Sequence, residues 1–118
     1  MSAELVELRS FYAFPGFLLL ARQDGEPVGC VAVRSLSPST GELRRLYVRP
    51  GQRSGGLGRR LLTTAADIAT ERRMGRLVLT TLSSMEAARS LYDSEGFHPV
   101  EPYVHDPLEG LYFLGRDL

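Results

Sequence analysis

The sequence lacks several residues on which common functional sites depend. Its 118 residues contain no lysine, no asparagine, no tryptophan and a single cysteine, Cys30. The missing lysine excludes the phosphate loop G-x-x-x-x-G-K-[ST], in which a lysine contacts the nucleotide phosphates. One cysteine cannot form an internal disulfide framework or a cysteine metal cluster. The two histidines, His98 and His105, are too isolated to predict a metal site. We therefore expect no bound metal.

Long apolar runs are also missing. A membrane-spanning helix needs about 20 consecutive apolar residues, and no stretch approaches that length. The start, Met1 to Glu4, lacks the basic and apolar segments of a signal peptide. The length, with 43% hydrophobic and 24% charged residues, is typical of one globular domain over residues 1–118. We expect a cytoplasmic protein with neither a membrane nor a nucleic acid as partner.

Charge is balanced overall but unevenly distributed. Residues 41–60 hold six arginines and one acid, Glu42, whereas residues 86–118 hold seven acids and two arginines. The basic segment suits a polyanionic ligand, and the acidic segment either attracts a cationic one or is merely solvated.

Periodicity and turn signals predict a mixed α/β fold in the order α-βββ-α-β-α-ββ. The expected helices cover residues 2–12, Leu57–Met74 with Gly75 as C-cap, and a segment from a cap at Ser83 or Ser84 to about Glu95, ended by Gly96. The expected strands are Phe17–Arg22, Val28–Arg34, Glu42–Val48, Arg76–Thr81, Phe97–Val100 and Leu111–Leu114. Asp24-Gly25 predicts a hairpin turn and Ser35–Thr40 a loop. The strand at Arg76 is expected to lie parallel to the strand at Glu42.

A glycine-rich loop stands between the Glu42–Val48 strand and the helix that follows. It reads Arg53-Ser54-Gly55-Gly56-Leu57-Gly58. Glycines let the backbone approach a phosphate closely, and the helix N-terminus adds positive potential. The glycine spacing does not match the dinucleotide loop G-x-G-x-x-G.

Two motifs together resemble the GNAT superfamily of acyl-CoA N-acyltransferases. The first is R-x-x-G-x-G at Arg53, Gly56 and Gly58, similar to the family's pyrophosphate loop. The second is A-x-x-L-Y-x-x-x-G-F from Ala88 to Phe97. The resemblance covers about residues 17–118 and is closest to small stand-alone bacterial members. It implies a central mixed, mostly antiparallel sheet of about six strands flanked by helices.

The resemblance also implies acetyl-CoA as co-substrate and assigns residues to hold it. Backbone amides of Leu46, Tyr47 and Val48 are expected to hold the pantetheine arm. The loop residues expected to hold the pyrophosphate are Arg53, Ser54, Gly55, Gly56, Leu57, Gly58 and Arg59. Many members carry an asparagine where this chain has Met85, so Ser83 or Ser84 is a candidate substitute, and Ser84 is included among the cofactor-binding residues.

Glu42 and Tyr92 are the expected catalytic residues. Glu42 precedes Gly56 by the offset at which several family members carry a glutamate general base; the alternative is a surface acid at a strand edge. Tyr92, which also contacts the cofactor, is expected to protonate the departing CoA thiolate; the alternative is an aromatic packed on the core. Cys30 is read as a small core residue rather than a nucleophile.

The expected activity is N-acetyl transfer to a primary amine of a small molecule or peptide, by direct attack in a ternary complex. A catalytically inactive or regulatory CoA-binding module is the alternative. The charge pattern favours a small cationic amine as acceptor over an anion. Compared with the family that it resembles, the sequence has the first strand and much of the first two helices missing or replaced by residues 1–16. That shortened N-terminal region leaves surface for a homodimer. Whether Tyr103, His105 and Asp106 line the acceptor pocket or form a polar loop stays open.

Overall fold

The computed structural model describes residues 3–8, 12–52, 55–103 and 110–118. Its strands are β1 (Glu4–Leu8), β2 (Phe17–Gln23), β3 (Glu26–Ser37), β4 (Thr40–Val48), β5 (Arg76–Leu82), β6 (His98–Pro99) and β7 (Leu111–Asp117). Its helices are α1 (Leu57–Glu71) and α2 (Glu86–Ser94), and a 3-10 turn covers Pro50–Gln52. The described strands form one mixed sheet in the order β1-β2-β3-β4-β5-β7-β6. The predicted fold class is confirmed, with one strand more than expected.

The meander and the crossover match the prediction. Asp24 and Gly25 join β2 to β3 with φ values of 53° and 81°, both positive as a two-residue type I′ hairpin turn requires. β5 lies parallel to β4, and α1 forms the connection between them. This connection places the start of α1 beside the end of β4.

The predicted helix over residues 2–12 is wrong, because Glu4–Leu8 is a strand. β1 pairs antiparallel with β2 along its whole length. Arg72, just after α1, donates a hydrogen bond of 2.6 Å to Glu7 and so ties β1 to the end of α1. A short apolar run fits helical and strand spacing equally well. Here the open edge of β2 supplies the backbone partners that decide for the strand.

α1 ends at Glu71 rather than at the predicted Met74, and Gly75 is not its cap. The left-handed conformation that closes the helix is taken by Arg73, with φ of 65°. The Gly75 amide instead donates to the Ser39 carbonyl at 2.8 Å. The end of the helix is therefore tied to the turn between β3 and β4.

α2 begins without the predicted serine cap. Met85 is its N-cap residue and makes no side-chain capping bond, so neither Ser83 nor Ser84 has that role. The predicted end at Gly96 is confirmed, since its φ of 89° is left-handed and its amide donates to the Asp93 carbonyl at 3.1 Å.

β3 and β4 are longer than predicted, and the expected Ser35–Thr40 loop is reduced to a tight turn. Ser37 faces Thr40, and the same register places Arg34 directly opposite Glu42. The candidate base thus lies inside a hairpin with an arginine across from it.

The core lies between the sheet and α1. The predicted apolar face of α1 is buried, and its residues are Leu57, Leu61, Leu62, Ala65, Ala66 and Ala69. At Gly41 of β4 a Cβ atom would lie 2.7 Å from both Met74 Sδ and Val33 Cγ1, so any side chain there would have to displace them. Neither α1 nor α2, the helices of the described part of the chain, is long and apolar enough to cross a bilayer.

Candidate active site

A cleft opens where β4 and β5 separate. The two strands are in register only from Thr40–Arg76 to Glu42–Val78. Beyond Glu42, the pairing of β4 with β3 is interrupted by a register shift opposite Cys30 to Ala32, and Arg45 has a positive φ of 55°. This bulge bends β4 away from β5, and α2 follows the end of β5 on the far side of the opening.

The cleft contains two adjoining hollows, which we call the Glu42 cavity and the Gly56 groove. The Glu42 cavity, about 670 Å³, is lined by Arg34, Glu42, Leu43, Arg44, Arg45, Leu46, Leu79, Thr80, Thr81, Met85 and Tyr92. The Gly56 groove, about 730 Å³, is lined by Leu46, Tyr47, Val48, Gly56, Gly58, Arg59, Ser84, Met85, Glu86, Ala87, Ala88 and Leu91. Leu46 and Met85 line both, so the hollows meet at these two side chains.

Glu42 lies in the wall of its cavity as a buried carboxylate, 7% exposed. Its Oε1 accepts hydrogen bonds from Arg34 Nη2 at 2.9 Å and from Arg44 Nη1 at 3.4 Å. Burial of an ionised carboxylate is costly unless it is paired, and the two guanidinium groups supply that pairing. The alternative interpretation, a surface acid at a strand edge, does not fit this buried position.

Tyr92 of α2 lines the same cavity and is 8% exposed. Its ring packs edge-on against Phe97 with the centroids 5.8 Å apart. Burial raises the pKa of the hydroxyl above its ordinary value, so the group stays protonated at neutral pH. Among the described residues, none forms a hydrogen bond with this hydroxyl, so the proton is available to a ligand in the cavity. Tyr92 thus packs against Phe97 and also lines the cavity.

Tyr103 lies close to the Glu42 carboxylate. Its hydroxyl is buried and has no hydrogen-bond partner among the described residues. Burial chiefly, and then the negative charge of Glu42, raise the pKa of Tyr103, while Arg34 and Arg44 lower it. The ring is fixed by an edge-on contact with Phe113. His105 and Asp106 lie outside the described residues.

Gly56 begins α1 at the mouth of the groove that we name after it. It is the N-cap residue, with a left-handed φ of 77°, and no protein atom lies within 4 Å of the place where a Cβ would stand. Gly58 is different, because a Cβ there would lie 3.2 Å from Leu91 Cδ2. Gly56 therefore keeps space open in front of the helix, and Gly58 lets α1 pack closely on α2.

The structure brings most of the predicted cofactor residues together. Those that line the Gly56 groove are Leu46, Tyr47, Val48, Gly56, Gly58, Arg59 and Ser84. Leu57 differs, since its side chain is buried in the core and only its backbone can face a ligand. The Gly55 amide already donates to the Gln52 carbonyl at 3.3 Å. Arg53 and Ser54 lie outside the described residues.

Arg59 borders the Gly56 groove with its charge already engaged. Its guanidinium pairs with Glu95 at 2.5 Å, and Thr63 donates to the other oxygen of the same carboxylate at 3.1 Å. A phosphate in the groove would have to compete with Glu95 for this side chain.

Cys30 lies on β3 beside the bulge of β4. It is only half-buried, and its thiol donates to the Arg45 carbonyl at 3.2 Å. Burial raises the pKa of the thiol more than the charge of Arg45 lowers it, so the thiolate form is disfavoured. Because the thiolate is the nucleophilic form, Cys30 is a weak nucleophile here. Within the described residues, no cluster of His, Cys, Asp and Glu is arranged to hold a metal ion.

Sequence reasoning missed the three arginines of the Glu42 cavity: Arg34, Arg44 and Arg45. A signal for two of them was present. Arg44 stands two residues from Glu42 and so shares its strand face, and a tight turn after Ser37 would have set Arg34 opposite. Arg45 reaches the cavity only because the bulge turns it, and nothing in the sequence marks that bulge.

Comparison with known proteins agrees with the fold. Residues 2–97 match the model of the acetyltransferase (GNAT) family. An uncharacterized N-acetyltransferase of Schizosaccharomyces pombe is 37% identical over 105 residues, which is 87% of this chain and 64% of the relative. The chain spans less than two thirds of the length of each curated relative that it matches.

Solved structures show the same architecture. A Klebsiella pneumoniae protein assigned as an acyl-CoA N-acyltransferase superposes with a TM-score of 0.82 at 30% identity, over 87% of this chain and 72% of its own. A GNAT family acetyltransferase from Elizabethkingia anophelis, solved with acetyl-CoA bound, superposes with a TM-score of 0.81 over 99% of both chains. That second pair is only 18% identical, so it shows the fold alone. On its family match and its similarity to these proteins, this chain belongs to the GNAT family of acetyltransferases.

Proposed function

We propose that this chain is an acetyl-CoA-dependent N-acetyltransferase that acts on a primary amine of a small molecule or peptide. The observation that supports this most directly is the continuity of the cleft. One hollow starts at an open helix N-terminus, the other holds a buried carboxylate and a buried tyrosine, and they meet at Leu46 and Met85. A long substrate can therefore have its phosphates at one end and its reacting group at the other.

The Gly56 groove is proposed to hold the CoA portion. The open space in front of Gly56 and the positive end of α1 suit the pyrophosphate. Leu46 and Ala88 offer apolar walls for the pantetheine arm, and Ser84 offers a hydroxyl at the rim. The Elizabethkingia structure of the same fold contains acetyl-CoA, which is consistent with this assignment.

The Glu42 cavity is proposed to hold the acceptor amine and the thioester. Glu42 takes a proton from the ammonium group, which leaves a neutral nitrogen with a lone pair. That nitrogen attacks the carbonyl carbon of the thioester. A C–N bond forms, the C–S bond breaks, and Tyr92 delivers a proton to the sulfur. The protonated state of the Tyr92 hydroxyl at neutral pH suits this role.

Direct attack is favoured over a covalent enzyme intermediate. Cys30, the single cysteine, does not line the Glu42 cavity, and burial raises the pKa of its thiol. A thiol that stays protonated and lies outside the cavity is poorly suited to accept the acetyl group. The amine and the thioester must then be bound at the same time.

Two measurements test the proposal. Calorimetric titration should show saturable binding of acetyl-CoA and of CoA but not of ATP, which shares phosphates and adenine but lacks the pantetheine arm. A free-thiol assay with a panel of primary amines should then show amine-dependent release of CoA. Absence of acetyl-CoA binding by the folded protein would overturn the proposal, whereas binding without thiol release for any amine would indicate a CoA-binding module instead.

A further inference from the structure

The charge of the Glu42 cavity points to a particular class of acceptor. Three arginines line the cavity against one carboxylate. The acidic C-terminal segment, which predicted a cationic acceptor, contributes Tyr92 to the lining but none of its described acids. None of the described acids of that segment borders the cavity: Glu86 lines the Gly56 groove, Glu95 pairs with Arg59, and Asp93, Glu101 and Asp117 lie elsewhere. The described lining of the cavity is therefore positive, whereas the acidic segment favoured a cationic acceptor.

The arginines do not have equivalent partners. Arg34 and Arg44 both donate to the same oxygen of Glu42, and together they compensate its charge. Arg45 donates through Nε to the Tyr12 hydroxyl at 3.2 Å, and no described residue accepts a hydrogen bond from its two terminal nitrogens. The positive charge of Arg45 is thus left uncompensated by any of the other described residues that line the cavity.

The position of Arg45 is set by the backbone. Its φ of 55° belongs to the left-handed region, which a non-glycine residue occupies only at a cost. The Cys30 thiol and the Tyr12 hydroxyl both bind this residue, one at its carbonyl and the other at Nε. With Nε engaged, the terminal nitrogens form the free end of the guanidinium, a planar pair of donors that matches a carboxylate or a phosphate.

We propose that the acceptor is an amine that also contains a compact anionic group, a carboxylate or a phosphate, bound by Arg45. This inference rests on the proposed acetyl transfer and adds the class of acceptor. The amine is held at Glu42, and the anion of the same molecule at the far side of the bulge. Amines without an anion, and diamines above all, are poor acceptors because they meet the arginines without compensation.

Matched acceptors test this without altering the protein. β-Alanine and γ-aminobutyrate are compared with their carboxamides, with diamines of the same length and with aminoalkyl phosphates. A nearby carboxylate raises the amine pKa relative to the carboxamide, so kcat/KM is measured as a function of pH and compared per fraction of neutral amine. A charged hydrogen bond of this kind corresponds to about tenfold or more, so kcat/KM should be at least about tenfold higher for the carboxylates or the phosphates than for the carboxamides. Whether the carboxylates or the phosphates give the higher kcat/KM shows which of the two anions Arg45 binds. Equal values, or preference for a diamine, would overturn the proposal.

A variant pair locates the effect. Arg45→Gln should bring the ratio between acid and carboxamide close to one, mainly through KM. Arg73→Gln is the control, because Arg73 also has a left-handed φ, of 65°, and does not line the cavity; its ratio should be unchanged. If Arg45→Gln does not fold, Arg45→Lys keeps the charge but loses the planar fork, and the ratio should fall to an intermediate value. An unchanged ratio in the folded Arg45 variant would overturn the assignment.

Binding separates this inference from the proposed function. If acetyl-CoA binds but no amine is acetylated, the same acids and carboxamides are titrated into the CoA-saturated protein. Tighter binding of the acids would uphold the anion site while the transfer activity fails. Equal binding, or none, would overturn the anion site as well.

Discussion

Gly56 offers a test of cofactor binding that is independent of catalysis. Gly56→Glu should abolish acetyl-CoA binding, because the new side chain occupies the open space before α1 and places a negative charge where the pyrophosphate is proposed to bind. The substitution also introduces strain, since φ at this position is 77°. A result from Gly56 alone would therefore mix the two effects.

Gly25 is a matched control for the strain. Its φ is 81°, no protein atom lies within 4 Å of the place of its Cβ, and it belongs to the β2–β3 turn, outside the Gly56 groove. Left-handed conformation costs a side-chain-bearing residue about 1–2 kcal/mol, so Gly56→Ala and Gly25→Ala should lose similar unfolding free energy. Gly56→Glu and Gly25→Glu should likewise be destabilised by similar amounts.

The affinity for acetyl-CoA should differ between the Gly56 and the Gly25 variants. A charge-assisted hydrogen bond is worth about 1.5–3 kcal/mol, and loss of two would weaken acetyl-CoA binding by about 10²–10⁴-fold. We expect this loss for Gly56→Glu in calorimetric titration and unchanged affinity for Gly25→Glu, with urea unfolding to confirm that all four variants fold. Equal affinity of the two folded glutamate variants would refute the placement of the pyrophosphate at α1.

Four further results are expected. Glu42→Gln should keep acetyl-CoA affinity and slow transfer by about 10²–10⁴-fold at neutral pH, with the loss shrinking as pH rises and the free amine deprotonates; full activity at neutral pH would remove Glu42 as the base. Tyr92→Phe should lower kcat far more than it weakens cofactor binding, and equal turnover would leave Tyr92 with a packing role alone. Gly41→Ala should lose about 1–3 kcal/mol in urea unfolding, because its Cβ would meet Met74 and Val33 at 2.7 Å, whereas Gly75→Ala, with 3.8 Å to its nearest neighbour, should lose less. Sedimentation at high protein concentration should show a homodimer, and a monomer alone would contradict that prediction.

Local signals predicted most of the fold. Asp24-Gly25 indicated the β2–β3 hairpin, the apolar spacing of α1 indicated its buried face, and Gly96 indicated the end of α2. Each of these features depends on residues that are close in sequence. β1 was missed for the opposite reason. Whether Glu4–Leu8 forms a helix or a strand depends on the free edge of β2, which local periodicity does not reveal.

The sequence predicted which residues form the candidate site better than it predicted the charge of the Glu42 cavity. The two motifs predicted Gly56 and Tyr92, and the offset from Gly56 predicted Glu42; the structure places all three along one cleft. The net charge of the C-terminal segment did not predict the charge of the cavity, because the charged residues of its described lining come from β3 and β4. The turn of Arg45 into the cavity depends on a left-handed backbone residue inside a strand, which its residue type does not favour.

The short register between β4 and β5 has a mechanical consequence. Backbone pairing across this junction extends only over Thr40–Glu42 and Arg76–Val78. The sheet therefore consists of two parts, β1–β4 and β5–β7, which are joined at one end. α1 packs against β2, β3 and β4, and its contacts with Leu91 and Glu95 connect it to the other side of the cleft. A ligand bound between these two parts would connect them at the end where the strands are not paired. Amide hydrogen exchange in β4 after Glu42 and in β5 after Val78 should then slow together when the cleft is filled.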